Sequence, residues 1–167
     1  IFKALLFLGA GAVIHAAGTR DMRQMGGLGK QMPFIRFVFI IGSLALAGLP
    51  ILNGFWSKEF ILEVGLEHGP LWAWIGMLLV AGLTALYTLR CVWLVFFGES
   101  RSHLHAHDAG PAMKTALVPL ALGAVVSWLA AGPFFKMLAE SLPAHHLEAE
   151  STGELVLTIL KAPVTWL

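Results

Sequence analysis

The chain has 167 residues, of which 57% are hydrophobic and 13% charged, with a mean hydropathy of +0.78. A soluble domain carries about a quarter of its residues as charges, so too few polar side chains are present here to face water on every side. The net charge of +1 gives no basis for nucleic-acid binding, and the single cysteine, Cys91, excludes an intrachain disulfide and a cysteine-based metal site.

The apolar residues fall in long runs, which points to a bilayer rather than to a compact core. The first run, Ile1 to Ala17, spans about 25 Å as a helix, slightly short of the roughly 30 Å hydrocarbon layer. It is read as a helix already under way at Ile1, in a piece of a longer protein. No charged leader or small-residue cleavage site precedes it, so it is not read as a signal peptide. Residues 18–33 form a polar loop with Arg20, Asp21, Arg23 and Lys30 and the turn pair Gly26–Gly27.

The second run, 34–63, would make a straight helix of about 45 Å, well beyond the hydrocarbon layer. Gly48, Pro50, Asn53 and Gly54 lie in its middle. Proline removes a backbone donor and clashes with the preceding turn. The spacing therefore predicts two half-helices joined by an irregular link near 48–54, which must be buried in protein or face a water-filled cavity. The third run, 71–97, is long enough to span with some tilt and carries Trp72, Trp74, Trp93 and Phe96 near its ends. A polar loop at 98–113, a fourth span at 114–133 and a partial fifth run at 154–167, interrupted by Lys161 and Pro163, complete the chain.

Basic residues are unevenly placed. Arg20, Arg23, Lys30, Arg36, Arg101 and Lys114 belong to loops that would share one side, whereas the link after the second run holds Glu63 and Glu67 and no Lys or Arg. The excess of basic residues predicts that loops 18–33 and 98–113 face the cytoplasm.

Lys58 and Glu59 carry the clearest chemistry, because apolar residues flank them on both sides. A charge at the bilayer centre costs about 2.5–3.5 kcal/mol on insertion scales, so such groups face the bundle interior or water. Desolvation favours the neutral amine and a neighbouring carboxylate favours the ammonium, and a lysine held between the two can bind and release a proton. The alternative is that residues 34–54 cross the membrane alone and the pair marks the far interface. Lys3 lies deep in the first run, with snorkelling to the surface as its alternative. His15 and Arg90 are read as interfacial, the arginine because it does not give up its proton. His103, His105 and His107 alternate in the polar loop and are read as solvated rather than metal-binding.

Phe2-Lys3-Ala4-Leu5-Leu6-Phe7-Leu8-Gly9 resembles the lysine-bearing segment of the antiporter-like membrane subunits of respiratory complex I, the proton-pumping NADH:quinone oxidoreductase. Arg20-Asp21-Met22-Arg23-Gln24-Met25-Gly26-Gly27-Leu28 is similar to the loop that follows it. Ala47-Gly48-Leu49-Pro50 with Gly54-Phe55-Trp56-Ser57-Lys58-Glu59 is similar to the family's second broken helix, and Thr84-Ala85-Leu86-Tyr87 to Phe97-Gly98 to the next helix. The resemblance covers roughly residues 1–100. It implies that Lys58 is the terminal lysine of a central hydrophilic axis, Glu59 its acidic neighbour and Lys3 a bridging lysine. The large subunit of cation/proton antiporters shares these motifs, and Asn53 and Glu59 depart from many complex I members.

The reading is an all-α, polytopic transmembrane helical bundle with one broken helix, forming a single membrane region with spans about 1–17, 34–63, 71–97, 114–133 and a partial 154–167. The expected function is proton translocation through Lys58, Glu59 and Lys3 and a water relay, in a multi-pass protein of the cell inner membrane. Its expected partners are other membrane subunits of complex I and the lipid bilayer, not nucleic acid. No cofactor, redox centre or metal is expected in this chain. A cation/proton antiporter subunit and a non-conducting membrane scaffold are the alternatives.

Overall fold

The computed structural model describes residues 1–50, 52–99, 107–141 and 151–161. Arg101, His103, His105 and Pro163 lie outside the described residues. Those described are helical or in turns and loops, with no strand among them. The elements are α1 (Phe2–Ala17), α2 (Pro33–Ala47), α3 (Asn53–His68), α4 (Leu71–Val92), α5 (Pro111–Val126), α6 (Ala131–Ser141) and α7 (Thr152–Lys161). A widened π-helical turn, Trp93–Phe97, extends α4, and a 3₁₀ turn, Ser127–Ala130, joins α5 to α6.

Two stretches are long and apolar enough to cross a membrane, Leu71–Phe97 with 27 residues and Pro111–Phe134 with 24. The helix of the fourth run begins earlier than the apolar pattern indicates. Pro111 sits at its first turn, where its fixed φ suits the helix and its missing N–H costs nothing. The helices α1 and α2 are apolar but shorter, with 16 and 15 residues.

The core lies where α2 packs against α1, α4 and α5. Leu5, Val13, Leu28, Met32, Ile35, Val38 and Leu117 form one buried cluster there. By contrast Leu79, Val80, Leu83 and Leu86 on α4 are each more than half exposed. An apolar face of that extent is what hydrocarbon or further membrane helices cover, and it fits the reading of α4 as a spanning helix.

The second run is interrupted as its glycines and proline predict. The backbone of Gly48 is left-handed (φ 94°), which ends α2, and Gly48 N–H and Leu49 N–H both donate to Leu44 O at 3.0 Å. A left-handed residue just past a helix end is the common place for glycine, and proline follows because it cannot continue the helix. A short turn, with Leu52 N–H donating to Leu49 O at 3.0 Å, leads into α3 at Asn53.

The other end of α2 is closed by a residue from a distant loop. Phe34 N–H and Ile35 N–H donate to the Asp108 carboxylate at 3.0 and 3.3 Å, although Asp108 lies 74 and 73 residues further along the chain. The aspartate satisfies two free donors at a helix start and complements its dipole. Around it, the Lys114 ammonium lies 5.3 Å from the Phe34 ring and the Arg36 guanidinium 5.8 Å from the Phe97 ring. Asp108→Ala is therefore expected to destabilise the bundle by about 0.5–2 kcal/mol, the usual cost of losing such a cap. Thermal unfolding of the purified parent protein, compared with Asp108→Asn, measures it.

These contacts bring loops 18–32 and 107–110 to one end of the bundle, while the turn between α3 and α4 at Gly69–Pro70 lies at the other. Single cysteines introduced at Arg20 and Glu67 are accordingly expected to react with an impermeant thiol reagent from opposite faces of the membrane. Labelling of both from one face would contradict this arrangement.

Candidate functional site

The broken helix positions Lys58. Ending α2 at Ala47 leaves the last carbonyls of that helix without N–H partners from a following turn. Lys58 stands in the second turn of α3, and its Nζ donates to Leu46 O at 2.8 Å and to Ala47 O at 3.2 Å. The ammonium thus sits on the negative end of the α2 dipole, where a cation is favoured. Gly48 permits this approach from the side as well, since a Cβ there would lie 3.2 Å from Lys58 Cδ.

Close packing of the two half-helices holds the geometry. Gly54 presses against the backbone of Ala45, and a side chain at that position would run into the Ala45 carbonyl. A Cβ on Gly54 would also lie 3.5 Å from the Phe2 ring, which places the start of α1 at the level of the break. On α3, Trp56 stacks on Trp128 with ring centroids 5.4 Å apart, tying the half-helix to the turn after α5. Ser57 Oγ donates to Gly54 O at 3.3 Å.

Lys58 opens onto a cleft of about 490 Å³ between α3 and α4, lined otherwise by Ile61, Leu62, Met77, Val80 and Thr84 among others. Among the described residues it is the one titratable side chain in that lining. Such a site holds an amine next to a largely apolar wall.

The other sequence-predicted residues are placed differently. Glu59 is half-buried on α3 beside Lys58 in the chain, but the hydrogen bonds of Lys58 Nζ go to the two α2 carbonyls. Lys3 lies on α1 at the same end of the bundle as the break, with its side chain exposed. No hydrogen bond or ion pair links Lys3 to Lys58 among the described residues. His15 is exposed near the C-terminal end of α1, in a cleft of about 340 Å³ that also includes His107 and Asp108. Arg90 is exposed near the C-terminal end of α4.

Sequence reasoning missed the α2 carbonyls as the partners of Lys58. The glycine–proline break announces free carbonyls but not which cation takes them. It also missed Asp108, whose neighbours Ala109, Gly110 and Pro111 read as the approach to α5 rather than as a cap for α2.

The broken helix, the close contact of its two halves at Gly54 and the lysine seated on the break fit a membrane protein of the antiporter-like class. The chain belongs to the family described as NADH:quinone oxidoreductase/Mrp antiporter, TM, whose profile matches residues 1–86. It is 43% identical over 134 residues to F(420)H(2) dehydrogenase subunit L of Methanosarcina mazei, covering 74% of this chain and 20% of that protein. It is 43% identical over 143 residues to NADH-ubiquinone oxidoreductase chain 5 of Phytophthora infestans, covering 80% of this chain and 20% of the relative. Against NADH-quinone oxidoreductase subunit L of Rhodobacter capsulatus the identity is 42% over 142 residues, 77% of this chain and 20% of the relative. The chain therefore spans about a fifth of the length of these curated relatives.

Proposed function

We propose that this chain is part of a proton-translocating membrane subunit of an NADH:quinone oxidoreductase, and that Lys58 carries the proton. The observation behind the reading is the seat of Lys58 Nζ on the free carbonyls of Leu46 and Ala47, beside a cleft with room for water. Held there as an ammonium, the lysine is stabilised by the carbonyl end of α2. Giving up its proton, it loses that attraction and is favoured by the apolar wall. Small changes in the distance between the half-helices tip this balance, so movement of α3 relative to α2 would load and unload the amine. Glu59 acts as the acidic neighbour that biases the same equilibrium, and Lys3, at the level of the break on α1, as the next basic group of the relay.

The redox reaction that drives such movement belongs on this reading to partner subunits, and no cofactor or metal is assigned to this chain. The partners are other membrane subunits of the complex and the surrounding lipid, not nucleic acid. The location is a cell inner membrane crossed several times within one membrane region.

A second reading is a cation/proton antiporter subunit, and the family description that covers residues 1–86 names both kinds of protein. Proton uptake by inverted vesicles containing the full-length parent separates the two. NADH-driven uptake that Lys58→Ala removes supports the first reading. Proton flux that needs a sodium gradient, in vesicles without the oxidoreductase, supports the second.

A further inference from the structure

Both ends of α2 are held by charged side chains from other elements. At its start the helix has no cap of its own, because the Met32 side chain makes no cap bond and Pro33 has no N–H. Arg36 N–H donates to Met32 O at 2.9 Å. That leaves the N–H groups of Phe34 and Ile35, and both donate to Asp108. At the other end the N–H groups of Gly48 and Leu49 turn back to Leu44 O, and the carbonyls of Leu46 and Ala47 accept from Lys58.

Between these ends α2 runs unbroken over Pro33–Ala47, with proline only in its first turn. Ile35 and Ala47 are about 18 Å apart along the axis. A continuous helix of this kind moves along its axis as one piece. Its buried flank is mostly apolar, with Ile35, Val38 and Ala45 in it. Apolar contacts have no direction, and packed helices slide past one another by about 1–2 Å in switching proteins. The contact of Gly54 with the Ala45 carbonyl resists approach of the half-helices but not their withdrawal. The directional bonds to Asp108 therefore set where α2 stands along its axis. The seat of Lys58 is sensitive to that position. Its two bonds are 2.8 and 3.2 Å long, and about 1 Å of withdrawal takes both beyond hydrogen-bonding distance.

We propose that Asp108 is a positioning residue for Lys58: by holding the first turn of α2 it fixes that helix along its axis, and with it the distance from the Leu46 and Ala47 carbonyls to the amine. The proposal rests on the reading of Lys58 as the proton carrier. Asp108 is no part of the lining of the Lys58 cleft, and it acts through α2. Without its two bonds α2 is free to slide, and the amine is less often held on the carbonyls. The loop 107–110, which lies some 18 Å of helix away, thereby bears on the proton-carrying group.

The test uses the full-length parent assembled in inverted vesicles and takes two readings. One is proton uptake normalised to assembled complex. The other is the rate at which acetic anhydride modifies Lys58, followed by mass spectrometry of the digested protein. Lys30, exposed in its loop, is the internal reference. The anhydride acylates a free amine, so an ammonium seated on two carbonyls is protected. Asp108→Ala is expected to raise the Lys58 to Lys30 acetylation ratio about fivefold and to lower uptake per complex about fivefold. Asp108→Asn, with one oxygen for the two N–H groups, is expected to fall between Asp108→Ala and the parent, and it decides alone if Asp108→Ala does not assemble. A cap with a purely structural role changes the amount of complex and its thermal stability but neither reading. If Lys58→Ala stops uptake while the Asp108 variants keep the parental uptake per complex, the positioning role is overturned and the role of Lys58 stands. An unchanged acetylation ratio overturns the positioning role too. Parental pumping by Lys58→Ala overturns the reading of Lys58 itself, and the positioning role with it.

Discussion

Lys58→Ala in the full-length parent is expected to reduce proton uptake by about 10²-fold or more, the range over which positioned proton-transfer groups act, while the complex still assembles. Among the described residues the amine is the titratable group of its cleft, and alanine removes it. Loss of the ammonium also leaves the Leu46 and Ala47 carbonyls without the donor they share. The cleft beside them has the volume for a water molecule bonded to both carbonyls, so the helix break is expected to survive. Removing a half-buried charge offsets part of the loss.

Lys58→Arg sharpens the test. Its guanidinium still donates to the two carbonyls and keeps the charge on the α2 dipole, so the local structure is retained. Arginine does not release its proton in the working pH range, so pumping is expected to fail all the same. A structural role predicts the opposite pattern, with Lys58→Arg active and Lys58→Ala impaired in assembly. Proton uptake by inverted vesicles, set against the amount of assembled complex, reads both variants at once.

Gly54→Ala is expected to have the largest effect on structure. A methyl group there collides with the Ala45 carbonyl, which is backbone and cannot swing aside as a side chain would. The half-helices must separate, and the destabilisation should reach or pass the upper end of the about 1–3 kcal/mol found for overpacked cores. Separation also draws Lys58 away from Leu46 O and Ala47 O, so any protein that does assemble should pump poorly. The measurement is thermal unfolding of the purified protein together with proton uptake. Gly82→Ala serves as the control, because a Cβ at Gly82 meets nothing within 4 Å. Equal stability of the two variants would refute the account of the junction.

Much of the architecture is legible in the residues themselves. Apolar runs of helical length call for membrane helices because backbone groups in lipid must bond within their own segment. The excess length of 34–63, with Gly48 and Pro50 inside it, requires a break because a straight helix would overrun the bilayer. Lys58 and Glu59 stand out as charges in apolar surroundings for the same reason. These are local properties of a chain in a low-dielectric solvent, and they determine the fold class, the broken second run and the identity of the candidate lysine.

Tertiary structure decided what each polar group meets. Lys58 finds the carbonyls of Leu46 and Ala47 because Gly54 lets α3 lie against α2. Asp108 finds the start of α2 because the loop before α5 returns to that end of the bundle. Hydrophobic pattern specifies which face of a helix avoids water but carries no record of which distant backbone group comes within hydrogen-bonding distance. That distance depends on how closely the helices pack, and here it is set at Gly54, where only a hydrogen fits between two backbones.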